Sequence, residues 1–319
     1  MTTIDLRPPT AAEGAGPGIT LAVDIGGTKI AGALVREDGA LLVTARRPTP
    51  RTADGDGVMG ALEEVLGELA QAAEWAAVRR CGIGSAGPID ASRGTVSPVN
   101  IGAWRGYPVV ERTRAALTRL GAPVPTVLVG DGVAMTAAEH WLGAARGHRN
   151  ALCMVVSTGV GGGLVLDGRL HPGPTGNAGH IGHISVELDG EDCPCGSRGC
   201  VEIIASGTSI ARHTGRTDAA AVAEAARAGD PAALAAFDRA GKALAAAIAA
   251  TATLVEIDIC VIGGGVAAAG DLLFGPLRQH LKTYAALDFV RHLEIAPAAL
   301  GTDAGVVGAA AAALQLAPA

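Results

Sequence analysis

Three glycine-rich clusters and one Cys/His cluster in this chain have the residue types and spacing for chemistry. The first is Asp24-Ile25-Gly26-Gly27-Thr28-Lys29. Glycines at 26 and 27 let backbone N–H groups approach a phosphate with no Cβ in the way. Thr28 adds a hydroxyl donor, Lys29 a counter-charge, and an ionised Asp24 an acceptor for a hydrated magnesium ion. An ordinary tight hairpin with an aspartate beside it is the plainer reading. The second cluster, Ser157-Thr158-Gly159-Val160-Gly161-Gly162-Gly163, holds four glycines where a plain hairpin needs one or two. Each glycine costs conformational entropy on folding, and a loop wrapped around the β- and γ-phosphates accounts for the surplus; a glycine-rich bulge is the alternative. Thr158, Gly159, Gly161 and Gly162 are the candidate contacts. A third cluster, Gly263-Gly264-Gly265, follows an apolar strand. It suits either a strand-to-helix turn or the wall of an adenosine site, with Gly264 and Gly265 as contacts.

Two further groups complete the inventory. Asp131, in Val129-Gly130-Asp131-Gly132-Val133, stands at a strand-to-helix junction. It reads equally as a helix N-cap and as a general base that takes a hydroxyl proton during phosphoryl transfer. His183, Cys193, Cys195 and Cys200 form the strongest local signal. Three thiolates and one imidazole make a complete tetrahedral zinc shell with no open position, so a Zn2+ held there is structural; three unrelated reduced cysteines are the plainer alternative. His180 and Glu202 flank the knuckle, where an anchored loop can place both within hydrogen-bond reach of a bound hydroxylic ligand. His183 is a candidate for double duty, zinc through one ring nitrogen and that ligand through the other.

These groups need elements to hold them. Strands are expected at Ile19 to Asp24, Ile30 to Val35 and Leu41 to Arg47, with Asp38-Gly39 as a hairpin turn. Val58, Leu62, Val65, Leu66 and Leu69 repeat at helical spacing, and a buried strand follows near Arg80 to Gly84. A helix over Val109 to Leu120, a strand at Thr126 to Val129 and a helix from Asp131 to about Ala145 come next. Ala151 to Val156 and Leu164 to Leu166 flank the second glycine turn. Residues 170–207 show no period and read as a functional insertion. Alanine makes 217–255 helical, broken at Gly229-Asp230-Pro231. A strand at Asp258 to Ile262 and two closing helices end the chain. The strand–glycine turn–strand pattern at 19–35 recurs at 151–166, which suggests a duplicated fold with a cleft between its halves.

Composition narrows the classes. The chain has 319 residues, enough for two domains, and 49% of them are hydrophobic against only 3% aromatic. A core built mainly of Ala and Gly relies on close backbone packing. The net charge of −6 argues against a nucleic-acid partner, and the short stretch ahead of the first strand leaves no expected room for a DNA-reading helix pair. Residues 1–18 read as a disordered Pro/Gly/Ala tail without a secretory apolar core. Neither the Ala243 to Val255 run nor the C-terminal run suits a bilayer, so no membrane partner is expected. Cys81, Cys153 and Cys260 sit singly in apolar stretches, and a cytoplasmic location with reduced thiols is the expectation.

Taken together, these motifs resemble the ROK family of sugar kinases and sugar-responsive repressors, from about Ile19 to Leu316. Besides those above, Gly82-Ile83-Gly84-Ser85-Ala86-Gly87-Pro88, Asn100 with Trp104, Ala178-Gly179-His180-Ile181-Gly182-His183 and Cys193-Pro194-Cys195-Gly196-Ser197-Arg198-Gly199-Cys200-Val201-Glu202 occur in family order. The resemblance implies an actin-like (ribonuclease-H-like) two-domain α/β ATPase fold with a zinc-braced loop, closing on a sugar and ATP with Mg2+. It implies a small domain at 19–121, joined by a C-terminal helix at about 303–316, and a large domain at 122–302 carrying the insertion 170–207. By position it makes Asp131 the catalytic base and His183, Cys193, Cys195 and Cys200 the zinc ligands. Ser85, Gly87, Asn100, His180, His183 and Glu202 become sugar contacts, with Gly84 in the same loop as Ser85 and Gly87. Family members are usually homodimers or dimers of dimers.

Two departures stand out: Gly130 where the family commonly has Asn, and His180 where it commonly has Glu. A carboxylate accepts from two hydroxyls, whereas a neutral imidazole offers one donor and one acceptor. The Ala-Gly-His-Ile-Gly-His version most resembles bacterial N-acetylmannosamine kinases. The expected acceptor is therefore N-acetylmannosamine, with glucose and N-acetylglucosamine as alternatives and a sugar-sensing protein with little turnover as the non-enzymatic one. Both phosphate loops and Asp131 argue against a pure sensor.

Overall fold

The structure, a computed structural model, describes residues 18–51, 54–98 and 101–316. Asn100 and the stretch expected as a tail, apart from Gly18, lie outside the described residues. The chain divides into two compact units. The described residues through Leu142, Arg169–Ala178 and those from Thr302 onward form one; Gly143–Gly168 and Gly179–Gly301 form the other.

The first unit is built on a five-stranded sheet ordered β3-β2-β1-β4-β7. Its strands are β1 (Ile19–Ile25), β2 (Lys29–Val35), β3 (Leu41–Pro48), β4 (Val78–Ser85) and β7 (Thr126–Gly130), and a small ribbon pairs β5 (Ile89–Asp90) with β6 (Thr95–Val96). β1 and β2 pair antiparallel, while β4 runs parallel to both β1 and β7. Alternation sends Leu21, Val23, Ile25, Ile30 and Leu34 to one face, where they meet α1 (Gly55–Leu69) and α2 (Val109–Arg119). α1 starts where Asp54 accepts from Gly57 N at 2.9 Å, and it buries the expected stripe Val58, Leu62, Val65, Leu66 and Leu69.

The other face carries small residues, Ala22, Ala31 and Ala33, and receives the closing helix α9 (Ala304–Leu316) through Val306, Ala309 and Ala310. A Cβ on Gly82 of β4 would overlap the Ala309 carbonyl, and one on Gly308 would overlap the Ala134 carbonyl of α3 (Asp131–Trp141). Helix α3 stops four residues short of the expected end, because Leu142 leaves the helical conformation with its N–H already bonded to Ala138 O. The strand β10 (Arg169–His171) brings Leu170 into the cluster of Val129, Val133 and Ala137.

The second unit orders its strands β9-β8-β11-β12. These are β8 (Ala151–Val156), β9 (Val160–Leu166), β11 (Ile259–Gly263) and β12 (Glu294–Pro297). Leu152, Met154, Val156, Cys260 and Ile262 pack on the long helix α7 (Pro231–Val255). Asp230 caps α7 by accepting from Ala233 N at 2.9 Å, and Pro231 occupies the first turn, so the Gly229-Asp230-Pro231 break does separate it from α6 (Ala219–Arg227).

Other elements also depart from expectation. Residues 170–207 are not wholly irregular: α4 (Val201–Ala205) is packed, with Val201, Ile204 and Ala205 all buried. α5 (Gly207–Thr214) follows it, capped by Ser206. Helices of five and eight residues are too short to display a hydrophobic period. β12 separates α8 (Asp271–Tyr284) from α9, so the chain does not close on helices alone. Among the described residues no helix is long and apolar enough to cross a membrane.

The packing of α9 is open to a direct test. Gly82→Ala forces backbone to move against backbone, and overpacking of this kind costs about 1–3 kcal/mol. A thermal melt should show a drop of several degrees; an unchanged midpoint would mean that α9 does not press on β4.

Candidate functional site

In the first unit, strand register gathers the chemistry at one edge of the sheet. Asp24 lies beside Gly84, Gly84 beside Val129, and Ser85 beside Gly130. Asp24, Gly84-Ser85 at the end of β4 and the Gly130-Asp131 junction, far apart in sequence, thus lie at the ends of neighbouring strands on the same side. The Gly26-Gly27-Thr28 turn is closed by Gly26 N donating to Lys29 O at 3.0 Å. Thr49 braces it: its hydroxyl donates to Gly26 O at 2.6 Å and its N–H to Thr28 O at 3.0 Å. Thr28 itself is exposed.

Asp24 is partly buried, and a Cβ on Gly305, in the first turn of α9, would overlap its carboxylate. Burial pushes its pKa up from 3.8 to about 6; the Asp131 charge adds to the rise and Lys29 opposes it. Asp131 is exposed and opens α3, its Oδ1 accepting from Gly132 N at 2.7 Å. The N-cap is Gly130, whose extended backbone (φ −69°, ψ 156°) takes that position. The plainer N-cap reading of Asp131 is therefore corrected. Ser85 is fully buried and donates to Ala86 O at 3.1 Å; Gly87 follows, before Pro88 and the β5–β6 ribbon.

In the second unit, the turn between β8 and β9 is Ser157-Thr158-Gly159, and Ser157 N donates to Gly159 O at 2.9 Å. Gly161, Gly162 and Gly163 lie in β9 and not in the turn. At Gly162 the missing side chain has a packing cause. A Cβ on Gly162 would sit 3.1 Å from Gly179 O and 3.2 Å from Ile181 Cγ2, and one on Gly182 would overlap Val160 O. The surplus glycine thus lets the 179–182 segment lie directly on the hairpin. Gly179 has a left-handed φ of 89°, which favours glycine. Glu202 also faces the turn: its Oε2 accepts from Val160 N at 2.8 Å. A Cβ on Gly159 would come within 2.6 Å of the same oxygen.

A cavity of about 510 Å³ opens beside this turn, lined by residues that include Ser157, Thr158, Thr208, Arg212, Asp218 and Gly265. β11 runs parallel to β8 with Gly263 beside Val155, which brings the third glycine cluster to the cavity. Gly264, at φ 94°, leaves no room for a Cβ against Val156 O. Sequence reasoning missed Thr208, Arg212 and Asp218. Two signals pointed there: Ser206, which caps α5, and Asp218, which accepts from Ala221 N at 2.9 Å ahead of an alanine run.

The knuckle brings His183, Cys193, Cys195 and Cys200 together, with their ligand atoms all within 4.8 Å of one another. The Cys195–Cys200 Sγ separation is 3.8 Å, as is Cys193 Sγ to His183 Nδ1. Zinc–sulfur bonds of about 2.3 Å in a tetrahedron place two sulfurs about 3.8 Å apart, so the donor set fits Zn2+ in number, type and spacing. Burial holds the Cys193 thiol up at about 12, a proton that a bound metal displaces. With Nδ1 turned to the cysteines, the Nε2 edge of His183 faces the other way. The exposed His180 ring stacks on it at 5.7 Å between centroids.

The sequence model of the ROK family matches residues 20–316. The chain belongs to the ROK family. Among its relatives, a glucokinase of Thermotoga maritima is 36% identical over 311 residues, covering 91% of this chain and 95% of that one. An N-acetylmannosamine kinase of Yersinia pseudotuberculosis is 34% identical over 296 residues, covering 91% and 96%. The crystal structure of a ROK family glucokinase from Streptomyces griseus in complex with glucose and AMPPNP superposes with a TM-score of 0.76 at 34% identity, covering 93% of this chain and all of that one. The fold of this ROK protein is accordingly the actin-like one, and both of its units are α/β.

Asp24 makes a pH prediction for the ROK protein free of metal and nucleotide. Its folded pKa of about 6 lies above the ordinary 3.8, so the neutral form is favoured and stability falls as pH rises through 6. The full difference corresponds to about 2–3 kcal/mol. Asp24→Asn should therefore melt higher than the parent at pH 8 and close to it at pH 4. Equal melting temperatures at pH 8 would show that the carboxylate is well solvated.

Proposed function

We propose that this sugar kinase of the ROK family transfers the γ-phosphoryl group of ATP to the 6-hydroxyl of a hexose or N-acetylhexosamine, with N-acetylmannosamine as the preferred acceptor. The observation that carries the reading is the strand register that sets Asp24 and Asp131 at one sheet edge, close enough for the charge of one to shift the other. Phosphoryl transfer asks for alignment, charge neutralisation and a base at the nucleophile. In this reading Asp131 is the base: it is exposed at a helix start, so its carboxylate is open to a hydroxyl. Asp24, with Gly26, Gly27, Thr28 and Lys29 around the first turn, would hold hydrated Mg2+ and phosphate oxygens.

Thr158, Gly159, Gly161 and Gly162 are assigned to the β- and γ-phosphates by the same reading, and Gly264 and Gly265 to the adenosine. The 510 Å³ cavity supports the nucleotide assignment, since small-molecule sites commonly span about 300–1,000 Å³. ATP supplies the phosphoryl group. Zn2+ on His183, Cys193, Cys195 and Cys200 would anchor the loop that carries His180. Ser85, Gly87, Asn100, His180, His183 and Glu202 are the proposed sugar contacts, Ser85 and Glu202 through the backbone they hold in place.

The preference for N-acetylmannosamine rests on His180 and its neighbours. Replacing a carboxylate with imidazole removes a two-hydroxyl acceptor. Glucose is the second reading, supported by the glucokinase relatives.

Two measurements test this. Asp131→Asn should lower kcat by about 10²–10⁴-fold, the usual worth of general-base catalysis, while calorimetry shows sugar binding within a few-fold of the parent; near-normal turnover removes Asp131 from the mechanism. An ADP-release assay across glucose, mannose and their N-acetylamino derivatives should give N-acetylmannosamine the highest kcat/KM, and His180→Glu should shift the order toward glucose. An order led by glucose in the parent protein establishes the second reading.

A further inference from the structure

The knuckle and the cavity of the second unit are joined by side chains to which the proposed reaction assigns no role. Glu191 lies two residues before Cys193, and its carbonyl accepts from Gly199 N at 2.8 Å, so the knuckle's own backbone fixes its position. Its carboxylate reaches α5, where Oε2 accepts from Arg212 Nη2 at 2.6 Å and Oε1 faces His213 Nε2 at 3.1 Å. His213 Nδ1 donates to Ser209 O at 2.6 Å, and the Arg239 guanidinium of α7 lies against the same ring, 2.5 Å from Nε2. Arg212 also lines the cavity, as does Thr208 one helical turn earlier. Thr208 Oγ1 donates to Thr158 O at 3.0 Å. A short helix thus touches the glycine turn at one end and the metal loop at the other.

We propose that Glu191 and Arg212 are positioning residues that couple the zinc knuckle to the nucleotide cavity, so that metal occupancy and nucleotide binding favour each other. This rests on the reading of that cavity as the nucleotide site. An arginine at a cavity wall is useful to an anionic ligand only when its planar guanidinium is held in one orientation. Glu191 supplies that hold, and the knuckle holds Glu191. The pair is about half exposed on both sides, so its contribution to global stability is small. A pair of that strength supports a coupling of about two- to fivefold. Linkage makes the coupling reciprocal in affinity: if metal-bound knuckle geometry tightens nucleotide binding, bound nucleotide tightens zinc binding by the same factor.

The test uses the full-length, zinc-loaded protein with ADP as the nucleotide and a colorimetric zinc chelator. In the parent protein, saturating ADP should tighten zinc binding, read from zinc partitioning to the chelator at equilibrium, about two- to fivefold. Glu191→Ala should remove that tightening and raise KM for ATP, relative to KM for sugar, by a similar factor, with a melting temperature close to the parent's. A purely structural strap would shift the melting temperature and leave the ratio of the two KM values alone. Zinc binding by Glu191→Ala that ADP still tightens, or an unchanged KM ratio, overturns the proposal. So does a parent protein whose zinc affinity ADP leaves unchanged. Ala220→Trp separates the two levels, since Ala220 lines the cavity and the indole fills it. If that variant binds ADP normally, the cavity is not the nucleotide site and the proposal falls with that reading. If it loses ADP while Glu191→Ala behaves as the parent, the nucleotide reading stands and the coupling alone is overturned.

Discussion

Backbone lying against backbone, with no Cβ between, is the constraint on which both units depend. In the first, α9 descends onto β4 and α3 only because Gly82 and Gly308 leave the Ala309 and Ala134 carbonyls unobstructed. That approach sets the first turn of α9, through Gly305, against the Asp24 carboxylate. In the second unit the 179–182 segment lies on β9 through Gly162, Gly179 and Gly182. With only 3% aromatic residues, the chain has few large side chains to fill wide gaps, so it closes them by bringing elements together. Interiors packed at crystal-like density respond to single methyl groups, and each of these contacts also shapes a stretch of the site.

Electrostatics follow from that packing. Asp24 is pressed beneath a helix start whose positive end favours an anion, yet burial outweighs this and leaves the group half-titrated near pH 6. A carboxylate in that condition gains from any cation brought beside it, and Lys29 already acts in that direction. Around the knuckle the balance is different. The loop from His183 to Cys200 has little apolar surface to bury, with most residues from Glu187 to Gly199 exposed. Its order comes from backbone bonds such as Val186 N to Gly199 O at 2.9 Å and from the preset spacing of its four donors. Glu202 then ties the end of the loop to the glycine turn, so the Cys/His segment and the turn share one framework.

Much of the fold was legible because its signals are local. The strand–turn–strand hairpins, the α1 stripe, and the Gly229-Asp230-Pro231 break each lie within a dozen or so residues, a range over which side-chain period and backbone preference act directly. What escaped was short or long-range. α4 and α5 are too brief to show a period, and β12 is a four-residue strand that exists because β11 offers an edge to pair with. The glycines of β9 were visible as a surplus, but their packing against Gly179 and Ile181 involves partners sixteen residues or more away.

The sequence alone determined which groups are available: two glycine turns after strands, a Cys/His cluster of four donors, and carboxylates at 24, 131 and 202. Residue chemistry is intrinsic, and turn and ligand spacing act over short stretches of chain. Tertiary structure alone decided how those groups are used. Register brought residues 24, 85 and 131 to one edge, and burial raised Asp24 to about 6. Packing turned Glu202 onto the glycine turn and opened the cavity beside α5. Such outcomes depend on neighbours remote in sequence, whose positions follow from closing the whole core.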